Sequence, residues 1–173
     1  MAIDKIQSES INLADNFAFT GTVTGASSPM TPAFQARNGS DQDIGYTGNF
    51  VKITCNTTVF DTNSKYDNSS NYRFTPTVAG KYFVYLNVGF IGSGGINDSS
   101  SQIYRNNSPH IIALNNDSAI TQQSQFCSGI VDLNGTTDYV EAYVNNDVAV
   151  SSTCILDSDN QKTVFGAYRI IGA

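Results

Sequence analysis

Phe74-Thr75-Pro76-Thr77-Val78-Ala79-Gly80-Lys81-Tyr82-Phe83-Val84-Tyr85-Leu86-Asn87-Val88-Gly89-Phe90 is the stretch on which the fold turns. Pro76 and Gly80 punctuate its first half. From Tyr82 onward the even positions Tyr82, Val84, Leu86, Val88 and Phe90 are apolar at the two-residue period of a strand. The odd side still offers Phe83 and Tyr85, so the first half of this strand is apolar on both faces. A strand in a two-layer sandwich needs only one apolar face. The second face predicts a further contact, and a neighbouring subunit is the economical partner, with cover by a loop or arm of the same chain as the alternative. The C-terminal run repeats the pattern, with Val164, Gly166, Tyr168 and Ile170 on one side and Phe165, Ala167 and Ile171 on the other.

Working outward, strand-like runs fall at 33–38, 50–60, 72–76, 81–90, 101–105, 110–114, 122–133, 138–145, 148–156 and 163–171, with turn-forming clusters between them. No stretch sustains helical periodicity, and an all-β domain is expected. Gly92-Ser93-Gly94-Gly95 reads as a flexible loop, since it lacks the Lys-Ser/Thr partner and following helix of a phosphate-binding loop. Asn134-Gly135 reads as the sharpest hairpin turn.

Residues 1–30 read as an N-terminal attachment arm and hinge, and residues 31–173 as the domain. Phe17, Phe19, Gly21 and Val23 alternate with threonines and Ala18, and Gly25-Ala26-Ser27-Ser28-Pro29 interrupts the pattern. Ile3, Ile6, Ile11, Leu13, Phe17, Phe19 and Val23 are the candidate apolar anchors of this arm.

Phe74 to Val84 resembles the C1q-domain signature, in which Phe-x-Pro and a small-residue Gly turn lead into a Tyr/Phe-rich central strand. Ala33-Phe34-Gln35-Ala36-Arg37 looks like the first strand of that family. Val131-Asp132-Leu133-Asn134-Gly135-Thr136-Thr137-Asp138-Tyr139-Val140 is similar to its Leu, Gly-Asp, Val hairpin, and Phe165-Gly166-Ala167-Tyr168 to its closing strand. Gly135 and Asp138 stand two residues apart where the family has Gly-Asp adjacent, and Gly166-Ala167 replaces a frequent Ser-Gly. The resemblance to the C1q/tumour-necrosis-factor superfamily covers residues 31–173. It implies a ten-stranded jelly-roll sandwich that assembles as a homotrimer around aromatic contacts, with Tyr82, Phe83, Tyr85, Phe165 and Tyr168 as candidate interface residues. Residues 13–25 resemble segments of phage appendage proteins.

The chemistry of the remaining residues is sparse. A net charge of -6 with only nine scattered Lys and Arg opposes binding to nucleic acid. No apolar run is long enough to cross a bilayer, and the start lacks a signal peptide, so synthesis in a host cytoplasm is expected. Cys55, Cys127 and Cys154 show no metal-binding spacing and are expected as reduced, buried thiols. His110 is the single histidine, and no nucleophile elbow accompanies it. The carboxylate pairs Asp41 and Asp43, Asp132 and Asp138, and Asp157 and Asp159 sit in turns where Asp ordinarily caps its own backbone, so no enzyme is expected. No cofactor is expected either. Asp41 and Asp43 are the candidates for calcium, although this segment lacks the closing Glu of an EF-hand loop.

These readings converge on a non-enzymatic structural protein at a virion surface. What the two resemblances imply is the trimeric head of a tail fibre or appendage, expected to be bound to other virion proteins through its arm. Asn106, Asn107, Asn115 and Asp117 are the candidate outward residues for host-surface carbohydrate. A capsid decoration protein and a free-standing glycan-binding lectin are the alternatives.

Overall fold

The computed structural model describes residues 30–45, 48–148 and 153–170, and of residues 117 and 118 only the backbone. The strands are β1 (Ala33–Arg37), β2 (Gln42–Asp43), β3 (Val51–Lys52), β4 (Thr57–Asp61), β5 (Tyr66–Asp67) and β6 (Arg73–Phe74). They continue with β7 (Gly80–Arg105), β8 (Ser108–Leu133), β9 (Val140–Val148), β10 (Cys154–Leu156) and β11 (Val164–Arg169). Among the described residues, a 3-10 turn at Asp159–Gln161 is the one helical element beside these strands.

Two strands of 26 residues each organise everything else. β7 and β8 form one antiparallel hairpin whose register runs from Gly80 opposite Leu133 to Arg105 opposite Ser108, with shifts between Ile91 and Asp98. At those shifts the hairpin bends double. Before the bend β7 pairs with β11 and β10, and after it with β9. One layer therefore runs β4, β1, β11, β7, β8, with β10 and β2 extending it. The other runs β8, β7, β9, β6, β5, with β3 beside β9. This is a jelly roll: both layers share one hydrogen-bonded hairpin folded over the core.

Eleven strands are present among the described residues, and where they depart from the expected runs the differences have local causes. The glycine segment is the corner of a continuous strand. Gly95 adopts φ +85°, and a Cβ there would come within 2.9 Å of the Ala119 backbone, so glycine lets the strands approach where they turn. The hairpin tip is Asn106-Asn107, with φ of 51° and 65°, the two left-handed residues of a type I′ turn. Asn134-Gly135 makes no hairpin, because β8 does not pair with β9. The Asn134 side-chain oxygen instead accepts from the backbone N–H of Thr136, Thr137 and Asp138 at 2.9–3.0 Å, turning the chain from one layer to the other.

The core is aromatic near the ends of the hairpin. Phe34 of the first layer stacks on Tyr66 and Phe74 of the second, with ring centroids 4.5 and 4.6 Å apart, and meets Phe165 edge-on at 5.2 Å. Toward the bend the interior turns polar. Gln123 and Gln125 reach across the layers to donate to the Ser99 hydroxyl at 2.5 Å and its carbonyl at 3.2 Å. Cys55, Cys127 and Cys154 are free and buried. Burial pushes the Cys55 thiol up to about 12 and the other two to about 11.

Candidate subunit-contact face

The outward side of the first layer is built in rows across β1, β11, β7 and β8. One row reads Ala33, Tyr168, Phe83, Ile130; the next reads Gln35, Gly166, Tyr85, Ser128; the third reads Arg37, Val164, Asn87, Phe126. Strand alternation sends these positions away from the core. Phe83 lies 5.4 Å from the Tyr168 ring and 6.2 Å from the Tyr85 ring. A Cβ on Gly166 would collide with the Tyr85 ring, so this glycine lets Tyr85 lie down across β11. Burial, then the neighbouring Tyr168, raises the Tyr85 phenol above its ordinary value. Phe126, Ile130 and Tyr168 remain 59%, 48% and 36% exposed, so the face presents apolar surface to solvent.

The five sequence-derived interface residues therefore separate into two groups. Phe83, Tyr85 and Tyr168 share this outer face. Tyr82 and Phe165 do not: both are fully buried in the core of the single chain, where the Tyr82 hydroxyl donates to the Val78 carbonyl at 2.6 Å and Phe165 packs against Phe34. Their strand parity decides it, since Phe165 lies opposite the inward-facing Leu86. Phe126 and Ile130 were missed, although both faces of residues 126–131 are apolar in the sequence by the same test that singled out residues 82–85.

The described outward residues, Asn106, Asn107 and Asn115, do not form one surface. Asn106 is structural, since its side chain donates to Asp138 at 2.8 Å and accepts from the Tyr139 N–H at 3.0 Å. Asn107 is exposed at the hairpin tip. Asn115 sits opposite Ser99, about 26 Å along the strand from Asn107 at the tip, and donates to Gln123 at 2.5 Å. The side chain of Asp117 and the arm residues Ile3, Ile6, Ile11, Leu13, Phe17, Phe19 and Val23 lie outside the described residues.

The carboxylates are engaged by local partners. Asp41 accepts from the Ser158 backbone and hydroxyl at 2.9 and 2.8 Å, which holds its pKa below the ordinary carboxylate value. Asp43 accepts from the Gly45 N–H at 2.8 Å. Among the described residues no cluster of three or more His, Cys, Asp or Glu side chains forms a metal-binding group. Asp132 pairs with Lys81, Asp157 with Lys162, and Asp138 with Arg105. The hydrogen bond from Arg105, reinforced by Asn106, lowers the Asp138 pKa. A groove of about 250 Å³ beside Gly89, Gln122, Ser124, Asp157 and Lys162 lies toward the bend on the same side of the molecule.

No protein-family model matches the chain, and no curated protein matches it in sequence. Solved structures do match the fold. The chain is similar to murine APRIL at pH 5.0, with a TM-score of 0.59 at 9% identity over 80% of this chain and 98% of that one. It is equally similar to the Eiger TNF of S. frugiperda, at 0.59 and 14% identity over 82% and 93%. At such identities the likeness concerns the fold: the chain has a jelly roll of the TNF/C1q type.

Proposed function

We propose that the chain is a non-enzymatic structural protein of a virus particle, acting as a homotrimer whose subunits meet on the outer face of the first layer. The observation that carries this reading is that Phe83, Tyr85, Phe126, Ile130 and Tyr168 share one outer face, with Phe126 and Ile130 about half exposed. A protein that stayed monomeric would hold this apolar face in water. The threefold stoichiometry follows the resemblance to the C1q/tumour-necrosis-factor superfamily, and the TNF-type jelly roll supports it. The virion role follows the resemblance of residues 13–25 to phage appendage segments. In this role the arm joins the domain to other virion proteins, and the domain stands at the particle surface as the head of a tail fibre or appendage. Contact with host-surface carbohydrate then falls to exposed turns such as Asn107, rather than to a surface shared with Asn115.

The absence of catalysis is part of the proposal. Of the six carboxylates first considered as three catalytic pairs, those of Asp41, Asp43, Asp132, Asp138 and Asp157 accept from a backbone N–H or a cationic side chain, or both. Multi-angle light scattering of the purified protein, together with immunogold labelling of intact particles, tests the whole reading. A trimeric mass and label on the particle surface are expected. A monomer, or particles that never carry the protein, would overturn it.

A further inference from the structure

The described chain begins next to one particular strand edge. Met30, 51% exposed, leads into β1, which is hydrogen-bonded on both sides, to β11 and to β4. The start of β1 is tied to the end of β4: the Thr62 N–H donates to the Ala33 carbonyl, and the Ala33 N–H donates to the Thr62 hydroxyl, both at 3.0 Å. Among the described residues β4 pairs with β1 alone, so its far side is the margin of the first layer.

That margin is apolar where margins are usually guarded. A register irregularity between Gln35 and Ala36 places Val59 between the paired residues Thr58 and Phe60. Val59 and Phe60 are 47% and 44% exposed. The first half of the strand is already occupied by Asn68, which donates to the Asn56 carbonyl at 3.3 Å and the Thr58 hydroxyl at 3.1 Å. Val59 to Asp61, nearest the arm junction, remains open to a further strand.

The arm carries a segment suited to it. In residues 17–24 Phe17, Phe19, Gly21 and Val23 alternate with Ala18, Thr20, Thr22 and Thr24 at strand period, and the segment contains no proline. Residues 25–32 then span up to about 25 Å when extended, whereas the open side of β4 lies about 10 Å from β1 at ordinary strand spacing. The reach is ample. We propose that residues 17–24 of the same chain add to the open edge of β4 and cover Val59 and Phe60, which leaves residues 1–13 as the portion free to engage another protein.

Hydrogen exchange on the full chain tests this. The β4 amides that do not bond β1 are expected to exchange at least about tenfold more slowly in the wild-type protein than in a Phe17→Asp/Phe19→Asp variant, with β7 amides unchanged. Equal exchange in the two proteins would overturn the proposal. A Phe19→Cys/Val59→Cys pair provides an independent readout should the charged variant fold poorly. A disulfide within one chain is expected, and a disulfide between chains, or none, would overturn it. The charged variant is expected to keep the oligomeric mass of the wild type, so failure of this edge contact and failure of the trimer reading are read out separately.

Discussion

The two outer faces of this sandwich carry similar numbers of aromatic rings and treat them in opposite ways. On the second layer, Tyr104 and Tyr143 stack on each other with centroids 4.1 Å apart. Lys52 sits over Tyr143 at 5.5 Å while its ammonium pairs with the buried Glu141 at 2.6 Å, and Arg73 covers Tyr139 at 4.4 Å. Its exposed apolar residues include Phe50, next to β3, and Ile112 and Leu114 on β8, which is the marginal strand of this layer as of the first. On the first layer, Phe83 packs against Tyr85 and Tyr168, the described residues show no cation over these rings, and Phe126 and Ile130 stand in solvent on the neighbouring β8. Aromatic content alone therefore does not mark a contact surface. What marks it is rings left without cations or polar cover.

The largest effect expected from perturbing this arrangement lies beneath both faces. Phe165→Ala removes a fully buried ring packed against Phe34 and should cost about 3–5 kcal/mol in chemical denaturation. If Phe165 were a contact residue instead, the substitution would change the oligomeric mass and leave the stability of each subunit nearly intact.

A smaller effect probes the second face. Lys52→Met leaves the Glu141 carboxylate, 2% exposed, without its cation, and should cost about 2–3 kcal/mol with no change in mass. A change in mass would mean that this face takes part in assembly and would erase the contrast between the two.

The smallest effect is a slope with pH. An unfolded thiol ionises near its ordinary value of 9.0, whereas burial holds the folded Cys55 thiol up to about 12. Between those pH values the unfolded chain has released a proton that the folded chain keeps, so rising pH favours unfolding. Below pH 9 the contribution is fully present. Denaturation midpoints should hold steady from pH 6 to 8 and then fall, by at most about 1.4 kcal/mol per pH unit from this thiol, and Cys55→Ala should flatten the fall.

Much of this molecule is legible in its residues, because strand parity is a local property. The alternation of Tyr82 to Phe90 gives the central strand and its buried side, and Phe34, Phe74 and Leu133 fall in the core where a sandwich requires them. Parity also carried the information needed to separate Phe83 from Tyr82 and Tyr168 from Phe165. A two-faced strand was recognisable, but which face looked inward depended on the partner strands. The bend was not legible, since a glycine run has the same composition whether it is a free loop or a strand corner pressed against Ala119. Nor was the crossing at Asn134-Gly135, whose residues suit a hairpin turn but whose flanking strands belong to different layers.

The central claim is that one of the two outer faces holds the subunits together, and sedimentation velocity on two full-chain double variants tests it most directly. The wild-type chain and an Ile112→Asp/Leu114→Asp variant should both sediment as trimers of about 56 kDa, three times the 18.6 kDa of the chain. A Phe126→Asp/Ile130→Asp variant should run as a folded monomer with an unchanged far-ultraviolet circular dichroism spectrum. A trimer that survives charges at Phe126 and Ile130, or a wild-type protein that is itself monomeric, would contradict the account.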